Sequence, residues 1–263
     1  MQEKKQFKIV SSKQTRYILP NILTLIGVCL GISSIKFSLD QNYSLAVILI
    51  IFAALLDALD GRIARLIKGT SDFGKELDSL TDFVSFGIAP AFIIYFWELK
   101  NYGKIGWVLT LIFSVCCVLR LARFNLTTYD VEENWKINYF QGIPSPAGGI
   151  LILLPLIFDL SSFNTNFDYK IITPYLVVTI AILLISKLPT FSFKKISIPR
   201  KITIFILLGV GIIFVSLVFF TFETLFILGL LYLATLPLSM IFYFKNAKKV
   251  KPIETEEEHE DVL

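Results

Sequence analysis

The chain has 263 residues, 55% hydrophobic and only 17% charged, where ordinary globular chains carry about 25% charged residues. A mean hydropathy of +0.70 and 24 Phe residues exclude a disordered chain and speak against a soluble enzyme; they describe an integral membrane protein. The single His, His259, stands in the acidic C-terminal run, which excludes His-based triads and His-ligated zinc from the body.

Charge-free intervals set out the elements in chain order: Tyr17–Ile35, Gln41–Leu56, Phe83–Trp97, Ile105–Leu119, Ile137–Phe158, Ile171–Ser186, Ile202–Phe222 and Thr224–Phe244. A membrane helix needs about 20 apolar residues. The first, fifth, seventh and eighth intervals meet that length, and each of the others must borrow a turn that carries charge. The expected architecture is therefore all-α, a polytopic membrane bundle of about eight transmembrane helices. Glu223 and Thr224 leave room only for a tight hairpin between the last two. Tyr17–Ile35 is followed by Lys36 rather than a small-residue cleavage site, so no secretory signal is expected. Cys29, Cys116 and Cys117 all lie in apolar runs and read as small buried hydrophobes, not as a disulfide framework.

Charge fixes an expected orientation. With a cytoplasmic N-terminus, 21 of the 25 Lys and Arg residues fall on the inner side, and only Lys36, Lys100, Lys104 and Lys170 fall outside. That asymmetry follows the positive-inside rule and places both termini in the cytoplasm. The basic loops then rest on anionic lipid headgroups rather than nucleic acid, and the acidic tail is solvated. The resulting organisation is a basic segment 1–16, a six-helix core 17–187, a cytoplasmic loop with a two-helix hairpin 188–245, and a charged tail 246–263.

In this topology the second interval ends inward at Asp57, the third starts inward at Asp82, and the fourth ends inward at Arg120. Charges at bilayer depth are costly and face a protein interior or a wet cavity. A polar cavity opening to the cytoplasm, walled by the second to fourth helices, is the expectation. At 100° per residue, Asp57, Asp60, Gly61 and Ala64 share one helical face, and Gly74, Asp78 and Asp82 line another at i, i+4, i+8. Four carboxylates brought together repel unless a cation sits between them. Oxygen-only ligands favour Mg²⁺, Mn²⁺ or Ca²⁺, and the small residues beside them leave room for a nucleotide. The alternative is ordinary helix-boundary acids paired with Arg62, Arg65 and Lys75.

The run Asp57-x2-Asp60-Gly61-x2-Ala64-Arg65-x8-Gly74-x3-Asp78-x3-Asp82 resembles the signature of the CDP-alcohol phosphotransferase family, with all eight positions filled. The resemblance implies that Asp57, Asp60, Asp78 and Asp82 hold divalent metal, Mg²⁺ or Mn²⁺ in a two-metal site, and that Asp82 is also the general base. It further implies that Asn21, Thr24, Asp60, Gly61, Ala64, Arg65 and Gly74 bind the CDP moiety.

Further stretches resemble the bacterial and archaeal phosphatidylserine synthase branch over roughly residues 16 to 245. They are Leu19-Pro20-Asn21-Ile22-Leu23-Thr24, Ser85-Phe86-Gly87-Ile88-Ala89-Pro90-Ala91, Arg120-Leu121-Ala122-Arg123-Phe124-Asn125, Gly142-Ile143-Pro144-Ser145-Pro146-Ala147 and Pro189-Thr190-Phe191-Ser192-Phe193-Lys194. This resemblance implies transfer of a phosphatidyl group from CDP-diacylglycerol to L-serine in a prokaryotic cytoplasmic membrane, by a protein that forms a homodimer. Ser85, Arg120, Arg123 and Asn125 are then candidates for the acceptor or lipid phosphate. The two arginines have an alternative reading, in which they snorkel to lipid phosphates. Other acceptors within the family (glycerol 3-phosphate, inositol phosphate, choline) remain alternatives. A cation transporter is a further one, although residues 137–263 carry no second set of acids to form the repeat that transporters show.

Overall fold

The computed structural model describes residues 15–67, 69, 71–126, 139–163, 171–191 and 200–247. Most of the basic segment 1–16, the tail with His259, and Ser192, Phe193 and Lys194 of the last motif lie outside the described residues. Helix α1 (Thr15–Leu39) turns over Asp40–Asn42 into α2 (Tyr43–Leu66), with Gln41 in the left-handed region at φ 61°. Asn42 caps α2 by accepting from the Leu45 amide at 3.2 Å. The short turn forces the two helices to lie antiparallel, so the start of α1 returns to the end of α2.

Helix α2 continues well past Asp57, supplying the turns that its apolar interval lacked. Ser71 then caps α3 (Asp72–Asp82) by accepting from the Gly74 amide at 3.0 Å. A π-helical turn over Phe83–Ile88 joins α3 to α4 (Ala89–Trp97). Pro90 accounts for that turn, because it has no N–H to offer the carbonyl four residues back and its ring clashes there. The whole Asp72–Trp97 stretch is long and apolar enough to span. Helix α5 (Lys104–Leu126) likewise runs through Arg120.

The fifth interval departs from expectation. It is not one helix but strand β1 (Tyr139–Gln141), helix α6 (Ser145–Leu151) and helix α7 (Leu154–Leu160). Gly142, Pro144 and Pro146 prevent an earlier helix start, and Pro155 cannot bond the carbonyl of Leu151, which is where α6 ends. Among the described residues the fold is thus all-α except for one small ribbon, in which β1 pairs antiparallel with β2 (Pro189–Phe191), Phe140 opposite Thr190. Gly142 has φ 73°, and a Cβ there would come within 2.8 Å of the Ser186 carbonyl. Only glycine fits both demands. Helix α8 (Ile172–Ile185) precedes β2, and α9 (Arg200–Phe219) and α10 (Thr221–Ala247) follow it.

The last hairpin turns at Phe220, earlier than Glu223–Thr224. Glu223 lies instead in the first turn of α10, where a carboxylate is favoured by the helix dipole, and it accepts from the Ser162 amide at 3.0 Å and hydroxyl at 2.6 Å. Cys29 also departs from expectation: it faces outward on α1, whereas Cys117 is buried.

Phe86, Phe113, Ile93 and Leu156 are among the fully buried side chains where α2, the π turn, α4, α5 and α7 meet. Leu25, Ile32, Phe52, Leu111 and many others are exposed on the outside, a surface suited to lipid rather than water. Among the described residues, five helices are long and apolar enough to cross a membrane: Ile18–Leu39, Tyr43–Leu66, Asp72–Trp97, Lys104–Leu126 and Thr221–Tyr243. Ile172–Ile185 and Leu207–Phe219 are shorter apolar helices. The protein is an integral membrane protein.

Candidate functional site

The end of α2, the capped start of α3 and the start of α1 converge on one side of the bundle. Asp57, Asp60 and Asp78 each present a carboxylate oxygen, and these atoms all lie within 4.8 Å of one another. Asp60 is buried, and the Thr24 hydroxyl donates to its Oδ2 at 2.6 Å while also lying 3.0 Å from the Pro20 carbonyl. Asp82 lies one turn further along α3 beside Asp57, and its Oδ1 is buried without a hydrogen-bond partner.

The alternative reading of ordinary paired acids finds no support among the described residues. Lys75 pairs with Asp72 at 3.1 Å rather than with any acid of the cluster, and no ion pair reaches Asp57, Asp60, Asp78 or Asp82. Three converging carboxylates and an orphaned buried carboxylate oxygen therefore fit a hard divalent cation, and the all-oxygen donor set is of the kind Mg²⁺ and Mn²⁺ take.

Next to the acids lies a cavity of about 340 Å³. Asn21, Thr24, Asp60, Gly61, Ala64, Arg65 and Gly74 all line it, together with Asp78. A Cβ on Gly61 would meet nothing within 4 Å, so this residue borders open space. At Gly74 a Cβ would come within 3.1 Å of the Ser71 hydroxyl and 3.2 Å of Asn21 Oδ1. That missing side chain lets α1 close on α3. Ser71 and Lys75 line the cavity too; Ser71 went unremarked in the sequence, and Lys75 entered only as a pairing partner for the acids. Ser71 could have been found as the N-cap three residues before Gly74. Lys75 carried no signal beyond its charge.

On the other side of Asp82 stands Arg120, buried on α5, with Nη1 donating to the Ser145 hydroxyl at 2.6 Å and Phe124 packed 5.3 Å from its guanidinium. Asp82 and Asp57 are within electrostatic range of it, so Arg120 faces the acids and not the lipid. Arg123 does not join them. It donates to the carbonyls of Ile185, Leu184 and Ser186 at the end of α8, covering helix-terminal acceptors that have no partner of their own. Ser85 is fully buried in the α1 seam and donates to the Gly27 carbonyl at 3.2 Å. Asn125 donates to Ser79 at 2.9 Å and ties the end of α5 to α3.

The chain that builds this acid cluster and cavity matches the family CDP-alcohol phosphatidyltransferase over residues 17–194, and it belongs to that family. Among individual relatives, the chain is 34% identical over 228 residues to the CDP-diacylglycerol–serine O-phosphatidyltransferase of Mycobacterium leprae, covering 85% of this chain and 74% of the relative. It is 36% identical over 199 residues to the Helicobacter pylori protein of the same name, covering 76% and 82%. It is 33% identical over 180 residues to the archaetidylserine synthase of Methanothermobacter thermautotrophicus, covering 67% and 71%.

Proposed function

We propose that the protein transfers the phosphatidyl group of CDP-diacylglycerol to L-serine, giving phosphatidylserine and CMP. The observation that carries this reading is the contiguity of three parts: a nucleotide-sized cavity, an unpaired acid cluster, and a buried arginine beyond it. Similarity to relatives named for the serine reaction selects the acceptor.

Asn21, Thr24, Gly61, Ala64, Arg65 and Gly74 would enclose the CDP moiety, with the glycines leaving room for its close approach. Asp57, Asp60, Asp78 and Asp82 would hold Mg²⁺ or Mn²⁺, in pairs by the family resemblance, which when bound neutralises the pyrophosphate and orients the departing phosphate. Asp82 accepts the proton of the serine hydroxyl as that oxygen attacks phosphorus. Arg120, oriented by Ser145, binds the serine carboxylate through its planar fork. Arg123 holds α8 against the ribbon, and Ser85 and Asn125 fix neighbouring helices.

The same reading has eight spans, both termini in the cytoplasm and the catalytic face turned to the cytoplasm, within a 17–187 core followed by a 188–245 hairpin unit. The 21-to-4 charge asymmetry supports it, because the acid cluster lies at the charge-rich end of α2 and α3. The deciding experiment is release of CMP from CDP-diacylglycerol by the purified protein, run against L-serine, glycerol 3-phosphate, inositol phosphate and choline. Release driven by an acceptor other than serine would replace the assignment.

A further inference from the structure

Helix α10 lies outside the family's matched residues 17–194, yet one stripe of it faces the catalytic bundle. Leu225, Gly229, Tyr232, Leu236 and Ser239 follow the alternating spacing of four and three that keeps residues on one helical face. Leu225, Gly229 and Ser239 on that face are buried. The stripe is pinned on both sides of Tyr232. A Cβ on Gly229 would come within 2.4 Å of Leu154 in α7, and the Ser239 hydroxyl donates to the Pro189 carbonyl of β2 at 2.6 Å.

Tyr232, held between these two points, packs half-buried against the core and lies within electrostatic range of the Arg120 guanidinium. A half-buried tyrosine hydroxyl ordinarily finds a partner. Among the described residues this one makes no hydrogen bond. Arg120 is in the same position, since only Nη1 of its five-donor fork is engaged, by Ser145. The Tyr232 hydroxyl and the Arg120 guanidinium, in electrostatic range of each other, thus each have donors to spare, and a carboxylate offers lone pairs for both.

We propose that Tyr232 is a second anchor for the acceptor, its phenol donating to the acceptor's carboxylate beside Arg120, so that the C-terminal hairpin completes the acceptor site. This inference rests on the serine reading of that site. A desolvated carboxylate needs more than one partner to offset its lost hydration, and Arg120 alone, shared with Ser145, falls short of that.

The test uses full-length protein reconstituted with CDP-diacylglycerol, comparing it with Tyr232→Phe, which keeps the ring and removes the hydroxyl. The serine KM is expected to rise about tenfold, the effect of one lost hydrogen bond to a charged group. The KM for CDP-diacylglycerol and the thermal unfolding temperature stay unchanged. L-Alanine, which has the carboxylate and lacks the hydroxyl, is expected to compete with serine and to do so about tenfold more weakly in the variant. An unchanged serine KM, or equal losses for serine and CDP-diacylglycerol, overturns the inference. So does a failure of alanine to inhibit the unmodified protein, or an alanine inhibition constant that Tyr232→Phe leaves unmoved. A wild-type protein that does not use serine at all overturns the functional reading itself, and is told apart by that result.

Discussion

The Thr24 hydroxyl reaches across 36 residues of sequence to donate to Asp60 Oδ2 at 2.6 Å, and so couples the first helix to the acid cluster. One oxygen of Asp60 is thereby occupied and held in place. Thr24→Val removes the donor while nearly keeping the shape, leaving a buried carboxylate oxygen unsatisfied. A hydrogen bond to a charged group contributes about 1.5–3 kcal/mol, so the divalent-ion concentration for half-maximal activity is expected to rise about tenfold or more. A metal titration of CMP release checks this. An unmoved midpoint would mean that Thr24 serves only helix packing.

Removal of the metal, or of any of three carboxylates, is expected to stop the reaction. Asp57→Asn, Asp60→Asn and Asp78→Asn should each abolish CMP release, and EDTA should abolish it in the unmodified protein. Among the described residues no ion pair reaches the cluster, and Lys75 pairs with Asp72 instead. Full turnover in EDTA, or a near-normal Asp60→Asn protein, would sink the metal-centre assignment.

Gly61 separates folding from function. It lies inside α2, and a Cβ there meets nothing within 4 Å. Alanine in a helix interior is favoured over glycine by roughly 1 kcal/mol, so Gly61→Ala should leave the unfolding temperature equal or higher. The same methyl group projects toward the space assigned to the nucleotide, and CDP-diacylglycerol affinity should fall. The two measurements are expected to move in opposite directions. Tight binding in Gly61→Ala would place the nucleotide elsewhere.

The two arginines of α5 should respond differently to substitution by lysine. Arg120→Lys keeps the charge and loses the planar fork that meets Ser145, so the serine KM should rise with little change in stability. Arg123→Lys loses a guanidinium that serves three carbonyls at the end of α8. Its effect should appear as a lower unfolding temperature with serine KM unchanged. Matching kinetic losses in both variants would return Arg123 to the acceptor site.

Much of this was legible in the sequence, for identifiable reasons. Helical periodicity places Asp57, Asp60 and Gly61 on one face whatever the tertiary packing, and the i, i+4, i+8 spacing does the same for Gly74, Asp78 and Asp82. Charge-free length was a poorer guide. It reports where a bilayer tolerates the chain and says nothing of proline's effect on the hydrogen-bond ladder, so the break before Pro155 and the π turn before Pro90 were invisible to it. The ribbon joining residues 139–141 to 189–191 is a pairing of distant segments that no local pattern encodes. Arg120 and Arg123 carried identical sequence signals, and only packing sent one toward the acids and the other to the α8 terminus. The inward stripe of α10 was hidden by its setting, because a spanning helix is apolar on every side.

Asp82 poses the sharpest division between binding and chemistry. It ends α3 where the π turn begins, a kind of irregularity that recurs at functional sites, and it stands outside the group of three acids that converge within 4.8 Å. Its Oδ1 is buried and makes no hydrogen bond, leaving one oxygen without a structural task. Asp57, Asp60 and Asp78 can hold metal and nucleotide without it. Asp82→Asn should therefore retain CDP-diacylglycerol binding while turnover falls by about two or more orders of magnitude, the usual contribution of a general base. The measurement pairs a binding isotherm for CDP-diacylglycerol with single-turnover CMP release in the same preparation. Loss of both together would make Asp82 chiefly a metal ligand, and the serine proton would then need another acceptor.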